Sequence, residues 1–177
     1  MAFTDPQPNG WRCVTTSSMP LETSLPHGSK PDAEGVLFYR DGHVWISSGD
    51  APHAKRLSRE GGLNPAWSPD RRRVVFSSGN AILMVNADGS ELRELARGHH
   101  PAWSPDGLKL VFDVARDDGH RILSSDLWLI NADGSELTAL TQTPDVLETE
   151  PSWSPEGRRI AYRLEDTGQI CVLSLVW

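Results

Sequence analysis

Cysteine, phenylalanine and tyrosine are scarce in this chain of 177 residues, with two, four and two copies respectively. The two thiols, Cys13 and Cys171, are too few for a disulfide scaffold or for a zinc site built from four thiolates. Basic residues are also few. Lys and Arg number 17 against 24 Asp and Glu, and the net charge of −7 disfavours a phosphate-binding surface and hence DNA or RNA as a partner. Long apolar runs are missing, since stretches such as Ala81 to Val85 and Leu127 to Ile130 fall far below the ~20 residues that cross a bilayer. No membrane span is expected. The opening residues, Met1-Ala2-Phe3-Thr4-Asp5-Pro6, have neither the basic start nor the apolar stretch of a secretory signal, so export is unsupported and the cytoplasm is the default compartment. There is no Gly-x-Ser-x-Gly nucleophile elbow and no Gly-x-x-x-x-Gly-Lys phosphate loop, and neither cysteine has a histidine at a telling distance.

Against these shortages tryptophan is abundant, with seven copies, more than Phe and Tyr together. Gly 15 and Pro 13 make 28 of 177 residues, enough for frequent turns and too few for low-complexity disorder. Three segments share the pattern Pro-x-Trp-Ser-Pro-acid: Pro65 to Asp70, Pro101 to Asp106 and Pro151 to Glu156. Seven residues after each Trp an apolar triplet begins, as Val74-Val75-Phe76, Leu110-Val111-Phe112 and Ile160-Ala161-Tyr162. An eroded copy precedes them. Counting back from Val36-Leu37-Phe38 lays Ser29-Lys30-Pro31-Asp32-Ala33 on Trp-Ser-Pro-Asp-Gly, so the copies start at 29, 67, 103 and 153 with spacings of 38, 36 and 50 residues. Such periods mean propellers or solenoids rather than independent domains.

Within each copy a short run ending in Trp meets Ser-Pro-Asp-Gly, where Pro presets φ and Gly accepts a positive φ, and a β-prone run follows. That is a hairpin. A third run comes next, at His43 to Ser47, Ala81 to Val85, Asp126 to Ile130 and Gln169 to Leu173, and a fourth at Ala54 to Ser58, Leu92 to Ala96 and Leu137 to Thr141. The turns between third and fourth runs are nearly identical in two units, Asn86-Ala87-Asp88-Gly89-Ser90-Glu91-Leu92 and Asn131-Ala132-Asp133-Gly134-Ser135-Glu136-Leu137. They share features with calcium loops but lack the full ligand set. A hairpin turn using Asp and Gly for their backbone angles accounts for them. The expected unit is a four-stranded antiparallel meander, and the expected fold is an all-β propeller with four blades per chain. Its repeats fall at 29–64, 65–100, 101–150 and 151–177, after an N-terminal segment over 1–28.

Pro-x-Trp-Ser-Pro-Asp-Gly, Asp-Leu-Trp-Leu-Ile and Asn-Ala-Asp-Gly-Ser resemble the blades of TolB-type propellers, WD-like repeats also found in prolyl-oligopeptidase-like enzymes. The resemblance implies a fold and a protein-binding scaffold. Members of that family usually have six or more blades, whereas this chain holds four copies. The fourth copy stops before its last strand, while Trp11-Arg12-Cys13-Val14-Thr15-Thr16 is a β-prone run without a place in the first unit. If residues 11–16 pair beside 169–174, Cys13 and Cys171 lie on adjacent strands within disulfide reach; otherwise they are two unrelated buried thiols. Three arrangements stay open: a closed four-bladed ring, a homodimer closing as an eight-bladed ring, and a fragment of a longer TolB-like or prolyl-oligopeptidase-like protein.

Function is expected on the face where second-to-third and fourth-to-first connections emerge, because the third unit enlarges both. That face gathers His99 and His100 with Arg116, Asp117, Asp118, His120 and Arg121 from one enlarged loop and Asp145, Glu148 and Glu150 from the other. Adjacent histidines on extended chain should point to opposite sides, so at most one of the pair is expected to face the channel. The repeat residues Trp67, Pro69, Asp70, Trp103, Pro105, Asp106, Trp153, Pro155 and Glu156 read as structural, with the Trp side chains between blades. Trp45 and Trp128 read the same way, and Arg71-Arg72-Arg73 and Arg158-Arg159 read as solvated charges on the opposite face. The leading expectation is a non-catalytic scaffold that binds a protein or peptide and needs no cofactor or metal. Its rival is a metal-assisted hydrolase or lyase in the channel, with the metal held by His100 and Glu150.

Overall fold

The computed structural model describes residues 36–47 and 54–176. The proposed closing strand at 11–16, Cys13, Trp11 and Trp177 lie outside these residues. Strands β1 (Val36–Arg40), β2 (His43–Ser47) and β3 (Lys55–Arg56) form a first antiparallel sheet. The second contains β4 (Leu63–Trp67), β5 (Arg73–Ser78), β6 (Ala81–Asn86) and β7 (Arg93–Arg97) in sequence order. The third contains β8 (His99–Trp103), β9 (Lys109–Asp117), β10 (Ile122–Asn131) and β11 (Thr138–Ala139). The fourth contains β12 (Glu148–Trp153), β13 (Arg159–Leu164) and β14 (Gln169–Ser174). The chain is an all-β propeller of antiparallel meanders, as the repeat demands.

The Ser-Pro-Asp turns work through one hydroxyl. Ser68 Oγ donates to Asp70 Oδ1 at 2.6 Å and accepts the Arg73 amide at 2.9 Å, while Asp70 Oδ1 also accepts the Arg72 amide at 3.1 Å. Ser104, Asp106, Leu108 and Lys109 repeat the pattern. The serine hydrogen bond, then the backbone one, holds each Asp carboxyl below its ordinary range. In the last copy the Arg159 amide still donates to Ser154 Oγ at 3.0 Å, and Glu156, one methylene longer than Asp, also accepts from the Arg159 guanidinium at 2.8 Å.

The apolar triplets face two ways because strand side chains alternate. Val74 and Phe76 pack toward the first sheet with Val44 and Leu57, whereas Val75 turns to the third sheet and meets Leu110, Phe112 and Trp103. The third and fourth sheets share Val111, Leu127, Ile160, Tyr162 and Cys171 in the same manner. Three apolar layers therefore join consecutive sheets. Trp103 lies buried in the second layer, its Nε1 donating to the Ala66 carbonyl at 3.3 Å. Arg73 departs from the expected solvated charge. Its guanidinium lies 5.0 Å from the centroid of the Trp103 ring, a cation–π contact that the alternation of β5 permits.

The nine residues added to the third unit lengthen its central hairpin rather than forming a loose loop. β9 and β10 pair continuously from Lys109↔Asn131 to Arg116↔Ser124, with one irregularity before Asp117↔Ile122. The other insertion runs beside β10, with the Ser125 amide donating to the Val146 carbonyl at 2.9 Å.

Candidate functional site

In the second, third and fourth sheets the first strand carries a left-handed residue just before its proline. Asn64, His100 and Glu150 have φ of 51°, 49° and 54°, and the ladder shifts register at each of them. Positive φ is uncommon for non-glycine residues, and the bulge re-aims the side chains around it. Alternation therefore fails at the histidines. His99 and His100 line the same cleft, with ring centroids 6.3 Å apart, where alternation alone would send them to opposite sides.

From His100 a line of polar groups crosses into the fourth sheet. Its Nδ1 lies 2.8 Å from Asp113 Oδ1, and that oxygen also accepts the Glu150 amide at 3.3 Å. Arg163 follows, 3.9 Å from Glu150 and 3.4 Å from Glu165. Asp113 is only 2% exposed, so its carboxylate depends on these partners. The hydrogen bond to Asp113 raises the His100 pKa above its ordinary value, outweighing the opposing effect of burial, and Glu150 and Glu165 add to the rise. These groups border a cleft of about 430 Å³ walled by Ala115, Ile122 and Leu147. Ser125 also lines it. Its hydroxyl is buried without a hydrogen-bond partner, so Ser125→Ala is expected to leave stability unchanged or raise it by about 1 kcal/mol in urea titrations.

A second cleft, of about 530 Å³, adjoins the first across His99 and Ile122 and lies between the second sheet and the extended β9–β10 hairpin. Arg97, Asp117, His120 and Arg121 line it. Of the other expected face residues, Arg116 donates to Ser124 Oγ at 3.0 Å, and Asp118 Oδ1 accepts the His120 and Arg121 amides, both at 2.9 Å. Asp145 sits in the loop before β12 with φ of 61° and lines neither cleft. Glu148, expected on the face, is buried instead. It is 2% exposed, accepts hydrogen bonds from Thr141 and Thr143, and has its pKa raised chiefly by desolvation. It joins loop to strand and does not reach the face, because β12 already begins there and turns it inward.

Sequence reasoning passed over Asp113, Arg97, Ser125, Arg163 and Glu165. Asp113 had a visible signal, an acid directly after the Leu110-Val111-Phe112 triplet, where the sibling units carry Ser77 and Arg163. The others become neighbours only through sheet packing. Among the described residues no group of three His, Cys, Asp or Glu side chains converges as a metal site. In the glycine turns Asp88 and Asp133 each accept the amide and hydroxyl of Ser90 and Ser135, so these carboxylates close hairpins.

Comparison with known proteins places this geometry. A family model described as TolB beta propeller domain matches residues 46–175. The Tol-Pal system protein TolB of Bordetella pertussis is 32% identical over 126 residues, covering 69% of this chain and 28% of that protein. The chain thus spans less than a third of that relative's length. A solved structure described as TolB from Agrobacterium tumefaciens has a TM-score of 0.63 at 22% identity, covering 81% of this chain and 54% of the other. An oligogalacturonate lyase in complex with manganese has a TM-score of 0.56 at 16% identity, covering 77% of this chain and 42% of that one. At such identities the structural likenesses speak for the fold alone. The family match takes in most of the chain, three of its four repeats whole or nearly so, and the chain belongs to the TolB β-propeller family.

Proposed function

We propose that the chain is a non-catalytic propeller scaffold that binds a protein or peptide on the face carrying the two clefts, and that a second copy completes the ring. The binding reading rests on one observation: both clefts open beside the enlarged third unit and meet at His99 and Ile122. Adjoining clefts of this size on a rigid scaffold suit an extended chain. A photo-crosslinking residue at position 120 is expected to capture a discrete protein adduct in cells, whereas one at Arg158 on the opposite face is not. Equal labelling from both positions, or none, overturns the reading.

A second reading, metal-assisted chemistry, draws on the Asp113 contact at His100 Nδ1, which leaves Nε2 for a ligand or proton. Stoichiometric zinc or manganese in purified protein, lost in His100→Gln, is the result that favours it over the scaffold.

The assembly reading rests on the repeat itself. Val36 is 57% exposed although its counterparts Val74, Leu110 and Ile160 are all 0% exposed against a preceding sheet. At the other end Ile170 is 48% exposed, while its counterparts Val44, Ile82 and Leu127 are 0% exposed against a following sheet. The leading face of the first sheet, with Val36 and the Phe38↔Trp45 pair, is thus of the kind that packs on the trailing face of the fourth, with Ala161, Ile170 and Val172. Two copies joined head to tail satisfy both faces twice. Light scattering should give twice the 19.5 kDa chain mass, and Trp45→Asp should give a single one. A wild-type monomer overturns this assembly and leaves the faces to further repeats of a longer chain.

A further inference from the structure

The second cleft carries two arginines against one acid, Asp117, within an acidic chain. Arg97 stands at the end of β7 in the second sheet and Arg121 at the tip of the β9–β10 hairpin in the third, so two guanidinium groups come from different sheets to one trough. His99 and His120 line it with them. Among the described residues Arg97 takes part in no salt bridge, and Arg121 has only a loose one, 3.8 Å from Asp118. Two acids share the hairpin tip with Arg121, and Asp117 lines the trough with it. Asp117 Oδ1 accepts the Gly119 amide at 2.9 Å, and Asp118 is held by two backbone amides that lower its pKa. Both carboxylates are thus fixed within the turn of the hairpin, while Arg97 and Arg121 line the trough from its two sides. Beside them Ile122 is 55% exposed, an apolar patch continuous with the neighbouring cleft.

We propose that this trough binds an acidic peptide segment of a protein partner, with its carboxylates on Arg97 and Arg121 and an apolar side chain on Ile122. This rests on the scaffold reading and adds to it the chemistry of the partner. Guanidinium groups favour carboxylates through paired N–H donors, and the net charge of −7 disfavours non-specific attachment of an acidic chain to the molecule as a whole. Placement of the charges thus gives selectivity as well as attraction.

The test is a random dodecapeptide display library selected on the immobilised full chain, followed by binding titrations of the enriched peptides. The expected peptides carry a net negative charge. Their affinity should fall about tenfold or more in Arg97→Glu/Arg121→Glu, and by a similar factor between about 0.05 and about 0.5 M salt, while Arg158→Glu on the opposite face leaves it unchanged. If the double variant loses its native near-ultraviolet spectrum, the Arg97→Gln variant and the salt titration carry the decision. Enriched peptides without acidic bias, or indifferent to these changes, overturn the acidic trough and leave the scaffold reading standing. Failure to enrich any peptide over a bare surface overturns both.

Discussion

Gly98→Ala is expected to destabilise the fold by about 2–6 kcal/mol, the sum of ~1–3 kcal/mol of overpacking and ~1–3 kcal/mol of backbone strain. Gly98 links β7 to β8 with φ of 153°, and an added Cβ would stand 2.5 Å from Phe112 Cδ2 and 2.6 Å from the Asp113 carbonyl oxygen. Phe112 is fully buried, so it has no room to withdraw, and the carbonyl belongs to the β9 ladder. The glycine amide is itself tied to the Asn80 carbonyl at 2.8 Å. Backbone therefore opposes backbone, and no rotamer change relieves the contact. Against a domain stability of about 5–15 kcal/mol, such a loss is visible as a collapse of the urea midpoint. A midpoint within experimental error of wild type would show that the second and third sheets do not approach as closely as these distances require.

His100→Ala is expected to cost about 2–3 kcal/mol at mildly acidic pH, because Asp113 would remain buried with only the 3.3 Å amide contact from Glu150. The pH dependence has a definite sign. His100 has a raised pKa in the folded chain, with Asp113, Glu150 and Glu165 favouring its proton and Arg163 lying nearby. A folded state that holds the proton more tightly is stabilised below the unfolded value of about 6.5, and that contribution is lost as pH rises through the raised folded value. Urea midpoints of the wild type should therefore fall relative to those of His100→Ala as pH rises from below about 6.5 through the raised folded value. Parallel profiles for the two proteins would remove the histidine from this balance. Asp113→Asn with His100 retained tests the other partner, and it should flatten the same profile while preserving shape.

Much of the architecture was legible because repetition averages out local ambiguity. Val74-Val75-Phe76 alone does not distinguish a strand from a buried helix, but its recurrence at a constant distance from Trp-Ser-Pro does. Strand ends were less legible. The third run expected at Asp126 to Ile130 extends back to Ile122, since the polar residues Ser124 and Ser125 pair across the hairpin as readily as apolar ones once β9 lies beside them. The histidine pair illustrates a deeper limit. Period-two alternation predicted opposite orientations, and a left-handed residue before Pro101 reversed that prediction, although a residue before proline ordinarily prefers extended backbone.

By itself the sequence determined the antiparallel meander and its turns, because these depend on interactions among residues close in the chain. Ser68 and Asp70 build the same turn wherever the hairpin sits. Only the tertiary structure decided which side chains meet across sheets: Asp113 between His100 and Glu150, Arg97 opposite Arg121, and Glu148 withdrawn from the surface. Those contacts depend on the angle and separation at which one sheet packs on the next, quantities set jointly by every apolar residue in the layer between them rather than by any local run.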